Sequence, residues 1–321
     1  MNRFDSHRDK PVSTRRSQAG DPATAPVHHV RADNIVCGSL TLPLGRSPRI
    51  MGVLNVTPDS FSDGGQYFES GAAVARARAL QKAGAHIIDI GGESTRPGAQ
   101  PVSAGEELDR VLPVIDALAN LEEQGEAQTP ISIDTRRAEV ADVALRRGCH
   151  VVNDISAASD PEMIGVLRDH PRVPIVLMHM KGDPATMQKA PLYDDVVGEV
   201  STFLSARAEE LVGAGIAREQ IIVDPGIGFG KRFRDNLELL NRIDSFLSLG
   251  YPILIGASRK RFLGELLGAD TGDRLPGGLA VAAHCYSSGV DVVRVHDVAE
   301  TAGLIRVLDA MAHPEHYEAD W

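Results

Sequence analysis

Cysteine is scarce in this chain, and its spacing excludes two kinds of protein. Only Cys37, Cys149 and Cys285 occur in 321 residues, far apart and odd in number. No C-x-x-C pair and no Cys/His cluster is formed, so neither a disulfide framework nor a zinc site is indicated. A reducing compartment, the cytoplasm, fits best. Long apolar runs are missing as well: none approaches the roughly 20 residues of a membrane span. The N-terminal stretch has Arg and Lys but no apolar h-region, which excludes a secretory signal. Its acidic residues Asp5, Asp9 and Asp21 and its poor helical amphipathicity set it apart from a transit peptide. Basic charge is in deficit, 33 Lys and Arg against 44 Asp and Glu, for a net charge of −11. That balance argues against nucleic acid as the main partner. An anionic substrate would have to be met by locally placed Lys or Arg.

What remains is an ordinary globular composition, 43% hydrophobic and 24% charged, large enough to bury a core without disulfide staples. Residues 1–32 are rich in Ser, Pro, Arg and Asp and lack periodicity, which predicts a disordered tail. The alternation from Val36 to Leu44 predicts a hairpin capping one end of the domain. From Ile50 a unit recurs: a short Val/Ile/Leu run, a polar or Gly-rich segment, then a helical stretch. The apolar runs begin at Ile50, His86, Ile131, Val151, Ile175, Ile221, Ile253 and Val292. Helical stretches are expected over 72–83, 106–121, 136–147, 160–170, 195–214, 236–247, 279–287 and 299–310. Eight such units in about 270 residues predict a (β/α)8 barrel over 33–312, an α/β fold, in preference to a doubly wound open sheet. Residues 313–321 are expected to form a C-terminal tail.

In a barrel the segments after the strands gather on one rim, where active sites sit. Taken singly they say little. An Asp after a strand is often only a helix N-cap, and this holds for Asp134 or Asp154 alone. His179 alone reads as a packed histidine, and Met178 as core. The segment Asp224 to Lys231 does not match G-x-x-x-x-G-K-[ST], so it is not a Walker loop. Packing does not account for Asn, Asp, Lys, Arg and His recurring at the same point of successive units. Alternation puts Arg294 and His296 on one face. An Arg there can stack on a flat ring or grip phosphate, and buried Asp134 and Asp224 demand partners. The pattern points to a flat, donor-rich heterocycle with an anionic tail.

The segments Asn55-Val-Thr-Pro-Asp-Ser-Phe-Ser-Asp-Gly-Gly65 and Gly91-Gly-Glu-Ser-Thr-Arg-Pro-Gly98 resemble the two signature loops of dihydropteroate synthases. Further matches follow in order: Ser132-Ile-Asp-Thr135, Val152-Asn-Asp154, Leu177-Met-His-Met180, Asp224-Pro-Gly226, Ser258-Arg-Lys260 and Arg294-Val-His-Asp297. The resemblance covers about Ile50 to Ala310. It implies condensation of 6-hydroxymethyl-7,8-dihydropterin diphosphate with 4-aminobenzoate, releasing diphosphate. It further implies that Asp134, Asn153, Met178, Asp224, Lys260 and Arg294 hold the pterin, and that Asn55, Thr95, Arg96, Arg294 and His296 surround the diphosphate. Asn55 would help to hold Mg²⁺. Phe61, Pro97, Phe229, Lys260 and Arg261 would shape the 4-aminobenzoate pocket, and Asp63, Asp134 and Lys260 would act in catalysis. Family members are commonly homodimers and are inhibited by sulfonamides, which mimic 4-aminobenzoate. Many relatives have Ser where this chain has Arg261, which puts the contact to the aminobenzoate carboxylate in question. Two alternatives stand beside this reading: a pterin-dependent methyltransferase, marked by methyl transfer to a corrinoid partner, and a pterin-binding paralogue without catalysis.

Overall fold

The computed structural model describes residues 32–45, 47–57, 66–94, 100–123, 129–182, 187, 191–270 and 273–317, with the side chains of 66–70 and 121–123 left aside. The expected tail up to residue 31 and the expected site residues Phe61, Asp63, Thr95, Arg96 and Pro97 lie outside the described residues.

Two short strands come first, β1 (Asn34–Cys37) and β2 (Leu40–Pro43), paired antiparallel with Cys37 opposite Leu40. This is the expected hairpin, begun two residues earlier. Its alternation buries Ile35 and Cys37 on one side, and the Gly38 N–H donates to the Arg172 carbonyl at 2.8 Å, tying the turn to the body.

The eight apolar runs form eight parallel strands: β3 (Arg49–Asn55), β4 (Ile87–Gly91), β5 (Ile131–Asp134), β6 (Val151–Asp154), β7 (Ile175–Met178), β8 (Ile221–Asp224), β9 (Leu254–Ile255) and β10 (Val292–Val295). Their order in the sheet is β8-β7-β6-β5-β4-β3-β10-β9, and a parallel bridge between Val223 and Ile253 joins the two ends into a nearly closed ring. One parity of each strand faces inward. Met51, Ile87, Val151, Val176, Ile222, Leu254 and Val292 fill the floor, and Ile35 and Cys37 of the hairpin close it from below. Each fully buried side chain of this kind contributes roughly 1.5–3 kcal/mol. The hairpin is therefore a plug for the apolar end of the barrel, which leaves only the other end for a site.

The opposite parity packs on the helices, with Ile50, Leu54, Ile88, Ile90, Ile133, Val152, Leu177, Val223 and Val293 in one outer core with helical Ala77, Val111, Ile115, Val140, Leu204 and Phe246. The helices are α1 (Gln66–Lys82), α2 (Ala104–Glu123), α3 (Ala138–Arg146), α4 (Met163–Asp169), α5 (Val196–Gly213), α6 (Phe233–Asn241), α7 (Ile243–Leu247), α8 (Arg261–Leu267), α9 (Leu275–Ser288) and α10 (Val298–Ala312). Several boundaries differ from expectation; α1, for one, starts at Gln66, six residues before the expected 72. The stretch 236–247 is two helices, because Arg242 leaves helical geometry at φ −115°, ψ 38°. Helix α8 was not anticipated; it ends at Gly268 in the left-handed region, φ +61°. Helix α9 starts four residues before the expected Leu279, with Pro276 in its first turn, a position where the missing N–H costs nothing. Past α10 the expected tail begins with a 3-10 turn, Pro314–His316.

Candidate active site

Two residues beyond the floor layer, the inward positions change character. Ile87 is followed by Asp89, Val151 by Asn153, Val176 by Met178, Ile222 by Asp224 and Val292 by Arg294. Strand β5 contributes Ser132 and Asp134 at the same levels, since Asp89 pairs with Ser132 and Asp134 with Asn153. One step further up, the same parity yields Asn55 on β3 and His296 after β10. Strand geometry alone thus brings polar side chains from six strands to one mouth.

Arg294 organises this layer. Its Nε donates to Asp89 Oδ2 at 2.6 Å and its Nη2 to Asp134 Oδ2 at 2.6 Å. Asn153 Nδ2 donates to the same Asp89 oxygen at 3.1 Å. Burial alone would lower the guanidinium, but Asp89 and Asp134 outweigh it and hold Arg294 above its usual value, so it stays a cation. Burial raises Asp134; Arg294 opposes the rise, while Asp89, Glu107 and Asp154 add to it. Asp89 is fully buried, and its Oδ1 has no partner among the described residues. An acceptor left so is costly, and a ligand N–H would relieve it.

Asp224 faces this group from β8. Its Oδ1 accepts the Gly226 N–H at 2.7 Å, and burial pushes the carboxyl up to about 6 against the pull of that N–H and of Lys260. Lys260 is partly exposed, at the end of the segment after β9. Burial, then Arg294, bring its ammonium down to about 7, with Asp224 and Asp134 acting the other way. Its Nζ lies 3.7 Å from the centroid of the Phe229 ring, a cation–π contact. Arg259, just before it, adopts φ +59° and turns outward to pair with Asp297. That left-handed residue lets Arg259 point to the surface while Lys260 points into the mouth. Phe229 and Met178 pack together with Ile155 and Met187 along one wall.

His296 sits above Arg294. Its backbone N–H and its Nδ1 both lie 3.2 Å from Ser258 Oγ. The hydroxyl accepts from the backbone N–H, and in the tautomer where it donates its own proton to Nδ1 the ring proton stands on Nε2. Burial, with Arg294 and Arg259, lowers this imidazole to about 3. The ring is therefore neutral at physiological pH, and in that tautomer it can give one hydrogen bond to an anion.

Asp134, Asn153, Met178, Asp224, Lys260, Arg294, His296, Asn55 and Phe229 thus gather at the mouth. Arg261 does not join them: its Nε pairs with Glu265 at 2.7 Å on the exposed side of α8. Asp154 is a turn residue, its carboxylate accepting from Ser156 N and Oγ and from Ala158 N at 2.7–2.8 Å. His179 is packed edge-on against Phe203. Sequence reasoning passed over two residues. Asp89 was hidden inside an apolar run, although its spacing of two from inward Ile87 was a usable signal. Ser258 stood in a matched segment without a role.

A family model described as "Pterin binding enzyme" matches residues 51–296. The chain is similar to "Dihydropteroate synthase" of Synechocystis sp., at 46% identity over 276 residues, covering 85% of this chain and 93% of that one. Among solved structures it is similar to Xanthomonas albilineans dihydropteroate synthase with 4-aminobenzoic acid, at TM-score 0.80 and 42% identity, covering 87% of this chain and 98% of that one. It is also similar to Yersinia pestis dihydropteroate synthase in a sulfonamide drug complex, at TM-score 0.80 and 40% identity, covering 87% and 99%.

Proposed function

The chain belongs to the dihydropteroate synthase family of pterin-binding enzymes, and on that premise we propose how its own residues serve the family's reaction. It is a transferase that condenses 6-hydroxymethyl-7,8-dihydropterin diphosphate with 4-aminobenzoate to give 7,8-dihydropteroate and diphosphate. One observation carries the assignment of roles: Arg294, clamped between Asp89 and Asp134, lies in the same mouth as Asp224 and Lys260.

Carboxylates suit the vicinal N–H groups along a pterin edge, which is the task of Asp224 and Asp134, with Asn153 beside them. Lys260 reaches the carbonyl side, Met178 packs near the ring and Arg294 stacks on it. At the rim, the neutral His296 and the cationic Arg294 take the diphosphate, together with Thr95 and Arg96 of the second signature loop. The bond from the exocyclic methylene to the diphosphate oxygen breaks with its electron pair leaving on oxygen. The methylene carbon becomes electron-poor, and Asp134 and Asp63 stabilise it electrostatically. The aniline nitrogen of 4-aminobenzoate, held by Phe229, Lys260, Phe61 and Pro97, forms the new C–N bond and releases a proton to solvent.

The mouth also fits Mg²⁺. Asn55 offers a carbonyl oxygen at the rim, and the only cluster of three His or carboxylate ligands among the described residues, His313, Glu315 and His316, lies past α10. A sparse oxygen donor is what Mg²⁺ requires when substrate phosphates and water complete its shell. When bound, Mg²⁺ would neutralise charge developing on the departing diphosphate.

No helix among the described residues is long and apolar enough to cross a membrane. The three cysteines are free and buried, in keeping with a cytoplasmic setting. Exposed Leu266 and Leu267 on α8 and Val307 and Met311 on α10 support a homodimer through these helices. Sedimentation velocity is expected to find twice the chain mass, and a monomer at micromolar concentration would exclude this.

The direct test of function is incubation with Mg²⁺ and both substrates. Dihydropteroate and diphosphate should appear together, and a sulfonamide should compete with 4-aminobenzoate. Lys260→Ala should lower kcat/KM by about 100-fold or more. Absence of product would sink the reading, and methyl transfer to a corrinoid would replace it with the methyltransferase alternative.

A further inference from the structure

The segment after β8 ends in a lysine that touches no substrate in this scheme. Lys231 is 4% exposed. Its Nζ lies 3.1 Å from the His179 carbonyl, 3.0 Å from the Phe229 carbonyl and 3.0 Å from His179 Nδ1. An ammonium has three N–H donors, and here each has an acceptor. No donor is left over for a phosphate, which agrees with the failure of the Walker pattern.

The contacts do not depend on the charge of the lysine. Burial lowers Lys231 to about 7, with Asp224 opposing, and lowers His179 to about 3. As an ammonium, Lys231 donates to both carbonyls and to Nδ1. As a neutral amine it still donates to both carbonyls, and its lone pair accepts a proton-bearing Nδ1. The buried carbonyls stay paired in either form.

The surroundings show what this clamp holds. The loop lies flat on the backbone that follows β7. A Cβ on Gly226 (φ +69°) would come 2.0 Å from the His179 oxygen, and one on Gly230 (φ +61°) would come 2.3 Å from the Lys181 oxygen. Only glycine permits both the dihedral and the approach. Asp224, at the start of the loop, is held by the Gly226 N–H. Phe229 is held through its own carbonyl by Lys231. The two ends of the loop thus have separate anchors, one beneath the pterin acceptor and one beneath the aromatic wall that faces Lys260.

We propose that Lys231 is a positioning residue for 4-aminobenzoate: it fastens the Phe229 main chain to the end of β7 and so fixes the Phe229 ring against Lys260. The inference rests on the reading of Phe229 and Lys260 as the aminobenzoate platform. A small displacement of such a platform has a large effect on a positioned reactant.

The test is Lys231→Met in the full chain, with steady-state kinetics in both substrates and a thermal midpoint. KM for 4-aminobenzoate should rise about tenfold or more, while KM for the pterin diphosphate changes less than about threefold. A purely structural role would lower the midpoint and the active fraction but leave the ratio of the two KM values unchanged, and that result overturns the proposal. An equal rise in both overturns it as well. If Lys231→Met does not fold, Lys231→Gln, one bond shorter but still an N–H donor, weakens the clamp on the Phe229 and His179 carbonyls without removing every donor. It should shift the KM ratio in the same direction by about two- to fivefold, and an unchanged ratio is again fatal. The wild-type protein separates the two levels: turnover without a selective effect at Lys231 defeats only this proposal, whereas no wild-type turnover defeats the functional reading beneath it.

Discussion

Replacing Asp224 with asparagine is expected to abolish useful turnover and, at neutral pH, to make the protein harder to unfold. The two effects share one cause. The Asp224 carboxyl is 6% exposed and is pushed by burial from 3.8 to about 6. A raised carboxyl binds more protons in the folded than in the unfolded state between those values, so stability falls as pH rises through that window. Above about pH 6 the full penalty of a buried charge is present. Asparagine removes it and can still accept the Gly226 N–H, for a gain of about 1–3 kcal/mol, the raised value being already net of the attraction to Lys260 and Lys231. Catalysis moves the other way. The amide puts an NH2 donor where a pterin N–H needs an acceptor, and kcat/KM should drop about 1,000-fold. Thermal unfolding of both proteins across pH 4 to 8 reads the first effect: the advantage of the variant should shrink as pH falls below about 6. A variant less stable than wild type at neutral pH would refute the assignment of Asp224 as a strained acceptor. The wild-type kcat/KM should have an acid limb in the same region, as Asp224 takes up its proton.

Loss of Arg294 should be the most damaging single change for the fold as well as for the site. Arg294→Met leaves Asp89, fully buried, and Asp134, with 14% of its side chain exposed, without their common cation. Breaking a buried pair in this way costs about 3–5 kcal/mol, because the remaining charge has no partner. Asp134, already raised by burial and held down only by Arg294, rises further without it and can take up a proton, which keeps the cost within that range. The second-site variant Asp89→Asn should return a large part of the loss in the Arg294→Met background, yet it should be destabilising alone. Denaturant unfolding of the four proteins in a double-mutant cycle measures this coupling. Additive effects would mean that the Arg294–Asp89 contact contributes little. Activity should stay low in both Arg294→Met proteins, since neither restores a flat cation for the pterin ring and the diphosphate.

Much of this architecture is legible in the order of the residues. The eight apolar runs became the eight strands, and the residues two apart in Val292-Val-Arg-Val-His296 took the same inward face, because strand parity is a local property of the chain. The rim position of Asp134, Asp224 and Lys260 followed from the same rule combined with barrel closure. Helix ends were less legible: the break at Arg242 and the seven-residue α8 leave no distinct pattern in a run of mixed apolar and charged residues.

Which face of each strand is polar, and at what height the polar layer begins, is written in the order of the residues. How those residues combine is a property of the folded chain. Arg294 reaches carboxylates 205 and 160 positions away in the chain, on β4 and β5, past the intervening strand β3. Asp154 and Asp134 end neighbouring strands, yet one accepts three bonds from its own turn and the other faces the mouth. The segment ending in Lys231 fails the Walker pattern, and only the fold gives its ammonium three partners from two segments. The physical reason is the same in each case. Parity depends on neighbours one or two residues away, whereas pairing, burial and the resulting proton affinities depend on which distant segments share the same low-dielectric space.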